Sequence, residues 1–149
     1  MNIVPVSVSV VTQAVEKVLR DTISTGNIER SGEINADPSR CPWVGVYRSD
    51  CQFPSRTLGF GSGYRGQRVG VIILAQESDP VSGDRCEDRL NVLVDQIISS
   101  LLSEPTLGGA VNTIDEFTVR YPDYQKVGND QYVQTAMILF TAITTVGGI

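Results

Sequence analysis

A chain of 149 residues with 41% hydrophobic and 19% charged residues suits one globular domain spanning 1–149 and argues against global disorder. Its formal net charge of −5 argues against a general nucleic-acid binder, which neutralises phosphates with clustered Lys and Arg. Histidine is absent, which removes Ser-His-Asp and Cys-His nucleophile systems, His-ligated zinc and a His general base.

In chain order, SVSVVTQAVEKVLRDTIS (7–24) comes first. Val8, Val11, Val15, Val18 and Thr22 recur at three and four, with Leu19 and Ile23 on the same side, which predicts an amphipathic helix beginning near Ser7 or Ser9. Glu16 and Arg20 stand four apart in the favourable orientation. The alternation Val4-Val6-Val8-Val10 is the competing strand signal. Residues 24–42 carry Gly, Asn, Asp, Ser and Pro with little periodicity and predict a long loop.

WVGVY (43–47) predicts a short strand, and FPSRTLGF (53–60) a second, demoted to an edge or irregular strand by Pro54. GSGYRG then turns the chain into QRVGVIILAQES (67–78), the best central-strand candidate in this half. The region 53–68 is thus expected to form a projecting hairpin.

The strongest pattern follows. Leu90, Leu93, Val94, Ile97, Ile98, Leu101 and Leu102, preceded by Cys86, hold helical spacing for more than three turns. Asp84 and Glu87 occupy capping-box positions, and Asp84, Glu87 and Asp88 complement the helix dipole. Pro105 cannot continue this helix and pushes Glu104 out of the α region. Gly108 and Gly109 let the backbone reverse, with Leu107 free to tuck back as a hydrophobic plug.

VNTIDEFTVRY (111–121) predicts a strand with an early irregularity, and a loop through Pro122, Gly128 and Asn129 leads to YVQTAMILFTAITTV (132–146). Fifteen residues of strand span roughly 50 Å, whereas a compact chain of this size has a radius of gyration near ~15 Å. Either that strand bends or one end leaves the body to pair elsewhere. The order predicts an α+β fold: a small, mostly antiparallel sheet of four to five strands, with two amphipathic helices on one face.

Few motifs carry chemistry. Cys41, Cys51 and Cys86 include no CxxC pair, so zinc-ribbon and thioredoxin-type sites are disfavoured. A Cys41–Cys51 bridge is sterically conceivable, but small buried thiols in a reducing cytosol are the favoured reading. Gly61-Ser62-Gly63-Tyr64-Arg65-Gly66 satisfies G-x-G-x-x-G, yet a strand follows it rather than the helix a dinucleotide site requires. A flexible hairpin tip fits better than a nucleotide site. Acidic pairs such as Asp115-Glu116 fit element starts rather than catalysis.

No basic n-region precedes the apolar residues of MNIVPVSVSVV, and VGVIILA and AMILF are far short of a membrane span, so synthesis and retention in the cytoplasm are expected. Arg40, Arg48, Arg56, Arg65 and Arg68 face only Asp50 between Cys41 and Val69. Two readings stand for this series: guanidiniums that dock carboxylates of a partner, or a solvated hairpin surface.

The order of elements resembles the tail terminator family of long-tailed bacteriophages. The likeness rests on the early amphipathic helix, the hairpin-rich middle, the helix RCEDRLNVLVDQIISSLL, the break SEPTLGGAV and the final strand YVQTAMILFTAITTV. It covers most of the chain and is clearest over 84–146; segment 24–42 and the GFGSGYRG hairpin have no counterpart in the family pattern.

The resemblance implies a virion protein without catalytic residues, metal or cofactor. It implies a homohexameric ring that caps the head-proximal end of the tail tube, ends tube growth and presents a docking surface to head-neck proteins. DNA would pass through the lumen unbound, and no membrane is involved. Arg48, Arg56, Arg65, Arg68 and Tyr64 are the candidate subunit or tube contacts, and Pro105, Gly108 and Gly109 the structural turn. A neighbouring head–tail connector or tail-completion protein is the alternative.

Overall fold

The computed structural model describes residues 7–24, 27–31, 33, 35, 37–52, 65–122, 125–127 and 131–146, with main chain alone at 65, 66, 125–127, 145 and 146. Helix α1 (Val8–Thr22) forms where the 3-4 spacing of valines expects it and buries Val11, Val15, Val18 and Leu19. It ends where Ile23 becomes extended, the Ile23 N–H still donating to the Leu19 carbonyl at 2.8 Å. Helical packing of one apolar face has overridden the modest β preference of the valines.

Segment 24–42 departs from the expected loop. It holds strand β1 (Asn27–Arg30) and a 3-10 turn over Pro38–Arg40. β1 pairs in parallel with β2 (Trp43–Gln52), Ile28 opposite Val44. Ile28 is the only large apolar residue of β1 and is buried, so its single anchor leaves no periodicity to read. Arg20 of α1 donates to the outward Ile28 carbonyl, which occupies part of this sheet edge.

The remaining strands are β3 (Arg65–Asp79), β4 (Thr113–Arg120), β5 (Gln125–Val127) and β6 (Gln131–Val146), with α2 (Gly83–Ser103) between β3 and β4. The sheet runs β1-β2-β3-β6-β4, and the three residues of β5 extend it beside β6. All pairs except β1–β2 are antiparallel, so the fold is α+β with a mostly antiparallel sheet. The expected strand at 53–60 lies outside the described residues.

The long final strand finds its partner within the chain. It pairs continuously with an equally long β3, from Arg65 opposite Val146 to Asp79 opposite Tyr132. β3 exceeds the expected 67–78 because Arg65 and Gly66 carry no β signal of their own and are extended by their pairing.

Both helices lie against one sheet face. Cross-strand rows on that face read Val44–Ala75–Ala136, then Val46–Ile73–Ile138–Val119, then Cys51–Val69–Ala142–Ile114. These meet Val11, Val15 and Leu19 of α1 and Leu90, Val94, Ile97 and Leu101 of α2 in one core. Phe117 stacks on Phe140 at 5.2 Å between centroids and closes the β4 end.

The joint between β3 and α2 is built by a buried acid. Asp79 has no solvent exposure, and its Oδ2 accepts from the Val81 and Ser82 N–H groups at 2.9 and 3.0 Å. Its Oδ1 faces Arg85 at 3.5 Å and Arg89 at 3.4 Å. These amides and guanidiniums hold its carboxyl below the ordinary aspartate range. The helix cap is Ser82, whose side chain accepts from the Arg85 N–H, rather than the expected Asp84, which sits in the first turn.

Candidate interaction surface

Among the described residues, the second face of the sheet carries neither α1 nor α2; the 3-10 turn reaches only its Ser78 end, where the Ser78 hydroxyl donates to the Pro38 carbonyl at 3.2 Å. Its central rows read Tyr47–Ile72–Leu139–Thr118 and Gly45–Leu74–Met137–Arg120. Tyr47, Ile72, Met137 and Leu139 remain partly exposed, and Ile143 extends the apolar stripe along β6. Strand alternation alone would make this face polar in a self-sufficient monomer. Instead, an apolar centre around Ile72, Met137 and Leu139 meets solvent in part, while Leu74 between them is buried.

One end of this face is closed by Trp43. Its ring lies across Gly45, where a Cβ would come within 2.5 Å of the indole Cη2, so the glycine is required for that approach. The indole N–H donates to Glu29 Oε1 at 2.8 Å, and Arg40 approaches the same oxygen at 3.1 Å. That indole bond, with Arg40, holds the Glu29 carboxyl below its ordinary range. Asn35 donates to Gln76 at 3.1 Å and ties the preceding segment onto the same end.

At the opposite end a shallow cavity of about 250 Å³ is lined by Asp50, Gln52, Arg68, Gly70, Glu116 and Thr141. Register slips between Asp115 and Thr118 place Glu116 at φ 61, a left-handed conformation rare for a residue with a side chain. The bulge turns its carboxylate onto this face, where Arg68 meets it at 2.6 Å and the Thr141 hydroxyl donates at 3.2 Å. The apolar stripe therefore has ion-paired polar groups at both ends.

The arginine series does not form one surface. Arg68 points onto the open face, whereas Arg48 shares the helix-side register of Val71 and lines a cleft of about 630 Å³ with Ser7, Ser9, Thr12, Arg30 and Tyr47. Alternation along β2 and β3 separates them, a consequence that residue counting misses. Arg40 is engaged by Glu29. Arg56 and Tyr64 lie outside the described residues, as does the side chain of Arg65 and most of the glycine-rich motif.

The turn after α2 is well defined. Leu107, Gly108 and Gly109 take φ values of 51, 69 and 92, a left-handed run that a residue with a side chain adopts only at a cost. Leu107 accepts that conformation while burying its side chain to 3% exposure. Hydrogen bonds from Leu107 N–H to Glu104 and from Val111 N–H to Thr106 close the turn at 2.8 and 3.1 Å. Pro105 opens it and is exposed. With Ala110, this turn forms one wall of a groove of about 440 Å³ along α1.

The cysteines are free thiols, including Cys41 and Cys51. Burial pushes the Cys41 thiol up to about 11, which leaves it protonated at neutral pH. Cys86 is buried and donates to the Glu77 and Tyr132 carbonyls at 3.3 Å. Among the described residues, no group of three or more Cys, Asp or Glu could hold a metal ion, and no helix is long and apolar enough to cross a membrane.

Sequence reasoning missed the open face, Glu29 and Glu116. The odd-numbered apolar residues of β6 were the available signal, since a strand apolar at both parities is apolar on both faces. Comparison of the chain with protein-family models and with curated proteins finds no match.

Proposed function

We propose that the protein is a structural component of a phage tail, a ring-forming tail terminator that caps the head-proximal end of the tail tube. The observation that carries the reading beyond resemblance is the uncovered sheet face, apolar at its centre and ion-paired at its ends. A monomer gains nothing from leaving Ile72, Met137 and Leu139 partly wet; an assembly that covers them recovers about 25 cal/mol for each Å² removed from water.

Three further features support it. The chain offers unlike patches on different sides, the open face and the groove beside α1, as a heterologous ring contact requires. The order α1, hairpin strands, α2, left-handed turn, paired long strands follows the family pattern. A net charge of −5 suits a lumen through which DNA passes without adhering.

The direct functional test uses polymerising tail tube protein. Substoichiometric addition of this chain should stop tube growth and leave it bound at one tube end, visible by negative-stain microscopy. Tubes of unchanged length and bare ends at saturating chain would contradict the reading.

A further inference from the structure

We propose that the cleft at the start of α1 receives an extended acidic segment of a partner protein, which adds to the free edge of β2 in line with β1 and sets its carboxylates against Arg30 and Arg48. The inference goes beyond the ring reading and does not depend on it. The cleft holds about 630 Å³, within the roughly 300–1,000 Å³ typical of sites that enclose a ligand. Its described lining includes Ser7, Ser9, Arg30, Ser31 and Arg48 and contains no Asp or Glu.

The backbone supplies the first half of the site. β1 pairs with β2 from Asn27 opposite Trp43 to Arg30 opposite Val46, and a last bond runs from the Ser31 N–H to the Val46 carbonyl at 3.0 Å. β2 itself continues to Gln52. Beyond Ser31 the chain turns back, since Asn35 bonds to Gln76, which stands opposite Trp43 at the other end of β2. Groups on one strand edge recur every second residue, so the Arg48 N–H and carbonyl face the side on which β1 has stopped. Among the described residues no backbone group bonds to them there. Such an edge accepts a strand. The bulge between Arg48 and Cys51 keeps the added ladder short, so side chains must select the segment.

Charge supplies that selection. Arg30 stands opposite Val46 and Arg48 lies two residues farther along β2, so both side chains leave the sheet on the helix side as diagonal neighbours. A segment that extends the line of β1 places every second side chain on that same side, beside both guanidiniums. Among the described residues Arg30 has one ion pair, to Glu16 at 3.9 Å, and Arg48 has none. Guanidiniums held side by side in this way favour carboxylates. α1 begins at the cleft with no acidic residue in its first turn, so its dipole adds to the positive field of the two arginines. The residues before Ser7, MNIVPV, contain no Asp or Glu, which leaves the acid to a partner.

The test uses the full-length chain with an acetylated, fluorescein-labelled octapeptide of alternating threonine and glutamate, and a threonine–lysine octapeptide as control. Anisotropy should show saturable binding of the acidic peptide that weakens as salt is raised, and no binding of the basic one. The Arg48 amide hydrogen should exchange with solvent more slowly when the acidic peptide is bound. Absence of saturable binding, or unchanged exchange at Arg48 in the complex, would overturn the proposal. So would displacement by inorganic phosphate at the peptide's own concentration, which would reassign the cleft to a small anion.

Variants separate the cleft from the general charge of the chain. Arg30→Gln with Arg48→Gln, both at exposed positions, should leave the melting temperature unchanged and weaken the acidic peptide about tenfold. Lys17→Gln, which removes one charge in the separate groove beside α1, should change binding less than about twofold. Equal binding by the double variant and the parent chain would contradict the assignment of the cleft.

Discussion

The two faces of the sheet are built from the same strands, one residue out of phase, yet they carry different physics. On the helix side Val46, Ile73 and Ile138 form a row with no solvent exposure. Their neighbours Tyr47, Ile72 and Leu139 form the next row on the other side and remain partly wet. The first face holds the monomer together. The second is partly wet and buries less in the monomer, so under the proposed function stability and assembly should separate residue by residue.

Adjacent residues of β6 give the sharpest way to break this comparison. Ile138→Ala should cost about 2–5 kcal/mol of monomer stability, because it opens a cavity in the core between the sheet and α2. Leu139→Ala should cost roughly 1 kcal/mol in the monomer while weakening assembly. Chemical denaturation of both variants measures the difference, and equal losses would mean that the open face stabilises the monomer as strongly as the core does.

Gly45→Val tests the closed end of the open face. The added side chain collides with the Trp43 ring, so the indole must move, at about 1–3 kcal/mol. As the only tryptophan, Trp43 reports this directly as a red shift of fluorescence emission. An unshifted spectrum would mean that the indole is not held across Gly45.

The helix side is joined to the sheet through Asp79, whose folded pKa lies below its ordinary value of 3.8. A depressed folded pKa contributes stability that is present above the unfolded pKa and lost as pH falls through the folded one. Acid titration of stability should therefore fall below about pH 4, and Asp79→Asn should reduce stability at neutral pH and flatten that fall. An unchanged acid limb would place the pH dependence elsewhere.

The smallest effect concerns Arg68. Its pair with Glu116 is about half exposed, so Arg68→Ala should change monomer stability by less than about 1 kcal/mol. Any larger effect on assembly, strongest at low salt, would tie this end of the open face to a partner.

Much of the fold was legible. α1, α2 and the strands 43–47, 67–78 and 132–146 follow from periodicity, and the Pro-Thr-Leu-Gly-Gly break announces its own turn. What was hidden depends on register. β1 has one apolar anchor, Ile28, and exists because β2 offers a parallel edge. Asp79 reads as a loop residue until two turn amides converge on it, and the left-handed Glu116 arises from a bulge whose location depends on pairing with β6. The arginines share a sequence neighbourhood, but Arg48 and Arg68 point to opposite faces because strands alternate.

The proposed function requires this chain to assemble into a ring. Electron microscopy of the purified protein at high concentration, alone and with tail tube protein as template, tests it most directly. Rings with an open centre, sixfold if the family pattern holds, are expected in at least the templated sample. Isolated monomers in both samples would contradict it.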